Sequence, residues 1–145
     1  MSTVVGRAPP ATGRLAWHRG WLVLGALLAL GVFGAAMLPA ARQLNRLMLA
    51  IPDGDKLLHL AAFAGLMLWW GNVYRRWHTR WAIAGWCLLF GLLIEGAQWP
   101  VAPEDADPFD LLADAAGIAL ALLALRTPLG QLLARGEAWL RGAFR

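Results

Sequence analysis

The stretch Asp53-Gly54-Asp55-Lys56-Leu57-Leu58-His59 opens an apolar run that continues to Tyr74, and it decides how the whole chain is interpreted. Two carboxylates, an ammonium group and an imidazole stand here at the mouth of a segment that is long enough to cross a bilayer. Ionisable side chains in such a position are energetically costly and usually serve a function. We therefore expect a membrane protein whose chemistry lies at this end of the segment.

The composition around this stretch argues against an ordinary soluble domain. Of the 145 residues, 59% are hydrophobic and only 15% are charged, whereas about 25% charged residues is usual in soluble proteins. The net charge of +4 comes from twelve arginines and Lys56, which lie between apolar runs and favour orientation in a membrane over nucleic-acid binding. The one cysteine, Cys87, can form no intrachain disulfide and argues against a cysteine-based metal site.

Four apolar runs predict an all-α fold, an antiparallel four-transmembrane-helix bundle followed by a C-terminal amphipathic interfacial helix. The predicted spans are Trp21–Leu38, Leu57–Tyr74, Trp81–Trp99 and Phe109–Leu125. We divide the chain into a basic tail (1–19), a membrane domain (20–125) and the terminal helix (126–145). A signal peptide is the alternative interpretation of the first run, but the length of that run and the three runs after it favour a span.

The connections between the predicted spans differ in charge. Residues 40–55 predict a polar connection with a short surface helix, and the next connection is basic, with Arg75, Arg76, His78 and Arg80. The loop before the fourth span is acidic, and we expect its three carboxylates to be solvated: Glu104, Asp105 and Asp107. After Pro128, the leucines on one helical face and Trp139 at its edge indicate a helix in the membrane interface, with a partly folded tail as the alternative.

The distribution of basic residues predicts the orientation of the chain. Ten of the thirteen Lys and Arg residues lie in the tail, the second connection and the C-terminal segment. The positive-inside rule therefore predicts that both termini are cytoplasmic, and an even number of spans agrees with this. The start of the second span, the end of the third and the start of the fourth would then lie together at the outer face.

Each of these three helix ends carries a pair of polar residues. Their spacings of three or four residues turn both members of a pair toward one helix face. Below the pairs, small residues such as Gly31, Gly65 and Gly117 recur at four-residue spacing with alanines and predict close helix packing. The predicted ligand-binding site consists of the three pairs and one lysine: Asp55, Lys56, His59, Glu95, Gln98, Asp110 and Asp114.

These residue types allow a limited chemistry. We expect Glu95 to be the most buried carboxylate. A Glu–His or an Asp–His pair could act as a general base and its orienting partner, and the enzyme hypothesis pairs Glu95 with His59; the candidate catalytic residues are His59, Glu95 and Asp114. The same three residues together with Asp110 could supply an oxygen-rich divalent cation site with one imidazole, although no cofactor is predicted. Lys56 could hold a phosphate or carboxylate group of a ligand.

Most of these residues also have a purely structural interpretation. They could act as helix caps, as charges that reach lipid head groups, or as packing and hydrogen-bonding partners. Glu95 and Asp114 fit these roles least, because neither starts a helix and both are costly in an apolar span. The residues open to a structural interpretation are Asp53 or Asp55, Asp110, Lys56, Gln98 and His59.

Three short motifs, in this order, resemble those of the VanZ-like membrane protein family. Asp55-Lys56-Leu57-Leu58-His59 resembles the family's D-K-x-x-H motif, and Glu95-Gly96-Ala97-Gln98 resembles its E-x-x-Q motif. Asp110-Leu111-Leu112-Ala113-Asp114, followed by Gly117, resembles its D-x-x-x-N-x-x-G motif. The resemblance covers residues 20–125 and implies a multi-pass protein of the bacterial inner membrane. The family is named for a member linked to resistance to a glycopeptide antibiotic of the teicoplanin type.

The chain departs from this family pattern at two places. Asp114 stands where the family usually has Asn, which adds a potential negative charge. The loop between Pro100 and Pro108 lacks the Arg that the family usually has after E-x-x-Q and contains only acidic charges. If that Arg binds an anionic group in relatives, this chain would instead favour a cation or a cationic ligand.

Three hypotheses for the function follow. The leading one is a binding protein, related to the cell envelope or to antibiotic tolerance, that meets lipid-linked envelope precursors, lipid head groups or amphipathic antibiotics at the periplasmic face. The second is a membrane enzyme acting on a lipid-linked or phosphorylated envelope substrate. The third is a structural accessory subunit in which the polar cluster only holds the bundle together. In each case the lipid bilayer is a partner and nucleic acid is not.

Overall fold

The computed structural model describes residues 15–39, 43, 54–103 and 106–143, and this part of the chain contains α-helices and no strand. The helices are α1 (His18–Met37), α2 (Gly54–Val73), α3 (Trp77–Gln98), α4 (Asp110–Ala124) and α5 (Leu132–Ala143), with a short 3-10 turn at Pro128–Gln131. The all-α prediction is confirmed. Each predicted span forms a helix, although α1, α2 and α3 begin three or four residues ahead of the predicted starts.

Two of the four long helices, α1 and α3, are long and apolar enough to cross a membrane. The prediction of four spans is thus shown only in part. The helix α2 has 20 residues but carries Asp55, Lys56, His59 and Asn72, and α4 has only 15 residues. The segment Pro128–Ala143 is long and apolar enough to cross a membrane only when it is joined to α4, from which it is bent by 79°. At this bend Thr127 caps the 3-10 turn, since its Oγ1 accepts from Leu129 N at 3.2 Å, and Pro128 follows it.

The closest helix pair is α2 with α4, whose contact is the most extensive in the fold. Gly117 makes this possible, because a Cβ atom there would collide with the main-chain carbonyl of Leu60. The prediction of close packing through small residues is therefore right for α4. It is wrong for α1 and α2, since nothing lies within 4 Å of a Cβ built on Gly31 or Gly65. In α1 the packed glycine is Gly25, which lies against Trp69 and Trp70.

Arg80, which we predicted to lie in the basic connection, is instead part of a helix and is buried. It lies in the first turn of α3, is only 4% exposed, and donates to three main-chain carbonyls. The distances are 2.9 Å from Nε to Gly71 O, 3.3 Å from Nη1 to Leu125 O and 3.3 Å from Nη2 to Gly130 O. A cation is stabilised at the C-terminal ends of helices, where carbonyls lack intrahelical donors. Arg80 therefore joins the ends of α2 and α4 to the turn before α5.

Glu137 of α5 joins the two ends of the chain, a contact that the sequence did not indicate. Its carboxylate accepts from Ala16 N at 2.7 Å and Trp17 N at 2.9 Å, and also from the Trp21 indole. Burial alone would raise the pKa of Glu137, but these donors outweigh it and hold the pKa below its usual range. A carboxylate at the N-terminus of α1 is favoured by the helix dipole. Residues 16 and 17, which lie within the predicted basic tail, are therefore held against α5.

Three sequence predictions fall on residues whose structure is not described: the surface helix between residues 44 and 51, the capping role of Asp53, and the solvated state of Glu104 and Asp105. The interfacial position of α5 is a statement about a bilayer and stays a prediction. Its Leu132 and Trp139 side chains are 52% and 71% exposed, while Glu137 on another face is buried.

We predict that Gly117→Ala lowers the free energy of unfolding by about 1–3 kcal/mol, because the added methyl group forces α2 and α4 apart. The matched control is Gly65→Ala, also in a helix interior but in open space, where alanine should be neutral or stabilising by up to about 1 kcal/mol. Thermal unfolding of the detergent-solubilised protein measures both. Equal effects at the two positions would contradict the close contact.

We predict that Glu137→Gln destabilises the first turn of α1 by about 1–3 kcal/mol, because charge-assisted hydrogen bonds become neutral ones. Since the folded pKa of Glu137 lies below the ordinary 4.5, the contribution is present above that value and is lost as the pH falls through the folded pKa. Amide hydrogen exchange at residues 15–21 should therefore accelerate in the variant at neutral pH. Unchanged protection there would refute this role of Glu137.

Candidate functional site

The three predicted helix ends meet at one end of the bundle. Asp55, Lys56 and His59 lie in the first turns of α2, Glu95 and Gln98 in the last turns of α3, and Asp110 and Asp114 in the first turns of α4. We call this end the outer cluster: the seven predicted residues together with Asp107, which the loop before α4 adds. Antiparallel packing of α2 against both α3 and α4 brings these ends to the same level.

His59 and Asp114 form the centre of the outer cluster. His59 Nδ1 lies 2.8 Å from Asp114 Oδ1, and its Nε2 lies 3.6 Å from Asp110 Oδ2. The Asp114 side chain has no exposed surface, because Gly91 of α3 leaves room for its second oxygen where a Cβ would collide with it. The imidazole is stacked parallel to the Phe63 ring, with ring centroids 6.3 Å apart. Packing and hydrogen bonding thus fix the orientation of His59.

Lys56 lies among three carboxylates. Its Nζ is 2.6 Å from Asp107 Oδ2 and 3.5 Å from both Asp110 Oδ1 and Asp55 Oδ2. The hydrogen bond from Lys56 lowers the pKa of Asp107 below its ordinary value. Lys56 therefore compensates carboxylate charge within the protein, and the interpretation in which it only reaches lipid head groups does not describe its position.

Asp107 is the member of the outer cluster that the sequence interpretation missed, since we expected it to be solvated. Its Oδ1 accepts from Phe109 N at 2.9 Å, and its own main-chain N–H donates to Glu95 Oε2 at 3.0 Å. In the structural interpretation of Asp110 as a helix cap, the residue would stand at the N-cap of α4; it lies instead in the first turn, and the N-cap residue is Phe109, which makes no side-chain capping hydrogen bond. An Asp followed by Pro just before a helix is a recognised start pattern, and Asp107-Pro108 could have been identified by it.

Glu95 is not the most buried carboxylate, contrary to the prediction. Its residue is half-buried, whereas Asp110 is 2% exposed and Asp114 is fully buried. The reason is the tight α2–α4 contact, which encloses the first turns of α4 more completely than the last turns of α3. His59 is half-buried, is paired with Asp114 and faces Asp110, so its direct hydrogen bond corresponds to the Asp–His alternative and not to the Glu95–His59 pair of the enzyme hypothesis.

Gln98 and Asp55 lie at the edges of the cluster. Gln98 Nε2 donates to Ala36 O at 3.3 Å and so joins α3 to the end of α1, which agrees with the structural interpretation of this residue. The Asp55 side chain is 57% exposed and touches the cluster through Lys56. The interior of the cluster therefore consists of four side chains, and the more exposed Lys56 and Asp107 lie beside them. The four are His59, Glu95, Asp110 and Asp114.

Two sets of three side chains have the spacing that a metal ion needs. Ligand atoms of His59, Glu95 and Asp110 lie within 4.8 Å of one another, as do those of Asp55, Asp107 and Asp110. Several acceptor oxygens here are buried and accept no hydrogen bond from the described residues: Glu95 Oε1, Gln98 Oε1, Asp110 Oδ1 and Asp114 Oδ2. Of these, Asp110 Oδ1 has Lys56 Nζ at ion-pair distance, 3.5 Å away. Buried acceptors are normally satisfied, so this end of the bundle has capacity for a cation or for N–H and O–H donors.

Comparisons with known proteins add no support to the motif resemblance. No family model matches the chain, and no curated protein or solved structure matches it either. The argument for function therefore rests on the geometry of the outer cluster and on the three motifs that meet in it.

We predict that Lys56→Met lowers the melting temperature at about pH 7 and has a smaller effect at an acidic pH below the ordinary Asp107 pKa of 3.8. The pKa of Asp107 lies below its ordinary 3.8, so the stability it gains from Lys56 is present above that value and lost as the pH falls through the folded pKa. Lys56→Arg is the control, because it keeps the positive charge. An equal loss at both pH values would mean that packing of the lysine stem, and not its charge, matters.

Proposed function

We propose that the protein is a VanZ-like, multi-pass protein of the bacterial inner membrane whose outer cluster binds a cationic, donor-rich group of a cell-envelope ligand without turnover. Such a group occurs as the ammonium of a lipid-linked envelope precursor or of an amphipathic antibiotic, or as a divalent cation. On this proposal both termini are cytoplasmic, all four long helices cross the bilayer, and α5 lies in the inner interface. The length and apolarity of α1 and α3 support the membrane location.

The observation that carries this proposal is the set of buried carboxylate oxygens in the outer cluster that accept no hydrogen bond from the described residues. Glu95 Oε1 and Asp114 Oδ2 belong to this set, as does Asp110 Oδ1, which faces the Lys56 ammonium at 3.5 Å. Each of them would gain from a donor or a cation, and a ligand that only filled space would leave them unsatisfied. An ammonium group or a metal ion could contact Glu95 and Asp110 together, because both have an oxygen within 4.8 Å of a ring nitrogen of His59.

The excess of carboxylates over basic groups in the outer cluster also favours a positively charged ligand. Within the described residues, five carboxylates form the outer cluster, and Lys56 and His59 are the basic groups found among them. Asp114, where VanZ-like proteins usually have Asn, adds one of these carboxylates at the most buried position. Negative charge in a poorly hydrated site attracts cations and repels phosphate or carboxylate groups. A cationic ligand therefore fits better than an anionic one.

A second candidate is a membrane enzyme for a lipid-linked or phosphorylated envelope substrate. The observation that favours it is the His59–Asp114 pair, in which a buried carboxylate 2.8 Å away holds the imidazole and leaves its Nε2 toward Asp110 and the half-buried Glu95. A carboxylate that orients a histidine is the arrangement of a general base and its orienting partner. On this alternative His59 transfers the proton and Glu95 faces the substrate.

We predict that cationic probes stabilise the purified full-length protein. Ethylammonium, Ca²⁺ or Mn²⁺ at about 100 times its dissociation constant should raise the free energy of unfolding by about 2.7 kcal/mol, whereas the uncharged probe ethanol should not. Asp110→Asn and Glu95→Gln should each weaken binding about tenfold or more, because each removes a charged acceptor. Circular dichroism of the variants checks that they still fold.

The possible outcomes separate the three hypotheses. If no cationic probe stabilises the wild-type protein, the binding proposal fails, and variants that are merely less stable would point to a structural role. Profiling of lipids and cell-wall precursors in a deletion strain, complemented with wild type or with Glu95→Gln, tests for turnover. An accumulated precursor that wild type removes and Glu95→Gln does not would favour the enzyme.

A further inference from the structure

The end of the bundle opposite the outer cluster contains a cleft of about 540 Å³ that the proposed function does not use. Its polar lining is basic: Arg75, Arg76, Arg80 and Arg126, with His18 and Thr79. We call it the basic cleft. Within the described residues no carboxylate forms an ion pair with any of the four arginines, since the ion pairs there all involve Lys56 or His59 at the other end.

The four guanidinium groups of the basic cleft have different roles. Arg80 lies at its floor, and its donors are occupied by the carbonyls of Gly71, Leu125 and Gly130, so it contributes charge and rigidity. Arg126 is exposed and lies over the Trp77 ring at 5.6 Å, which holds it at the rim. Arg75 is half-buried and Arg76 exposed. Three guanidinium groups can thus turn toward a ligand above a fixed fourth charge.

The main chain adds donors at the same place. The helix α3, which has 22 residues, begins beside the cleft at Trp77, and its N-cap residue Arg76 makes no side-chain capping hydrogen bond. The first N–H groups of a helix have no intrahelical acceptor, and they carry the positive end of the helix dipole. Together with the Thr79 hydroxyl in the lining, they complete the donor set that phosphate groups prefer: guanidinium forks, main-chain N–H groups and a hydroxyl.

We propose that the basic cleft binds the phosphate group of an anionic phospholipid. The lipid is favoured over a soluble phosphate because both helices that are long enough to cross a membrane begin here, α1 at His18 and α3 at Trp77. Exposed Trp17, Trp77 and Trp81 flank the same level with 47%, 39% and 59% of their surface accessible, as is usual at the head-group level. Basic pockets between membrane helices are known places for anionic head groups. The lipid source thus rests on the membrane location proposed above, whereas the anion site does not.

The test compares phosphatidylglycerol with phosphatidylcholine as an addition to the full-length protein in neutral detergent, with native mass spectrometry and melting temperature as readouts. We expect phosphatidylglycerol to bind and to raise the melting temperature, and phosphatidylcholine to do neither. The double variant Arg75→Gln with Arg76→Gln should bind phosphatidylglycerol roughly 30-fold more weakly, since each basic residue near a membrane surface contributes on the order of a factor of five. Arg126→Gln alone should show a smaller loss.

The matched control is Arg19→Gln with Arg135→Gln, which removes the same charge from exposed positions outside the cleft and should bind like wild type. Equal weakening in the control would mean attraction by net charge, and the site proposal would fail. Glycerol phosphate that stabilises as strongly as phosphatidylglycerol would overturn the lipid assignment in favour of a soluble phosphate. If the double variant does not fold, Arg126→Gln against Arg135→Gln makes the same comparison with one charge. These expectations do not depend on the outer cluster. If no cationic probe stabilised the protein in the test proposed for that cluster, each of the results expected here would be the same.

Discussion

The approach of α4 to α2 at Gly117 is the constraint on which the rest of the structure depends. Without a Cβ atom, Gly117 lies against the main chain of Leu60, closer than any other residue type would allow. Asp114 lies three residues before Gly117 and His59 lies next to Leu60, so the same contact brings their side chains face to face at 2.8 Å. One turn further toward the end of the bundle, Asp110 meets Lys56. A single close contact between two main chains therefore sets the register of the outer cluster.

Buried charged groups have different kinds of partners at the two ends of the bundle. At the outer end, carboxylates lie beside Lys56 and His59, and several acceptor oxygens accept no hydrogen bond from the described residues. At the other end, each of the three side-chain nitrogens of Arg80 donates to a main-chain carbonyl. Arg80 thus has partners that hold three segments together, whereas the binding proposal for the outer cluster rests on acceptors that still need donors.

The members of the outer cluster on α2, α3 and α4 could be predicted because helical periodicity is local. Spacings of three and four residues show which side chains share a face, and the charge bias of the connections shows which helix ends lie together. Asp107 could not be placed in this way, since it reaches Lys56, 51 residues away, through a loop whose path depends on the packed helices. The ranking of burial failed for the same reason: Glu95 and Asp114 look alike in an apolar run, and only the α2–α4 contact and Gly91 enclose Asp114 more fully.

The sequence by itself determined the helices, the polar residues at their ends and the opposite charge of the two ends of the bundle, because these follow from composition and short-range spacing. Only the tertiary structure decided how the charges pair: His59 with Asp114, Lys56 with Asp107, Arg80 with the carbonyls of three separate segments, and Glu137 with the start of α1. These pairs join residues as far as 121 positions apart. Which of the many possible partners a charge meets is set by the distances that helix packing permits, and no local pattern in the chain records those distances.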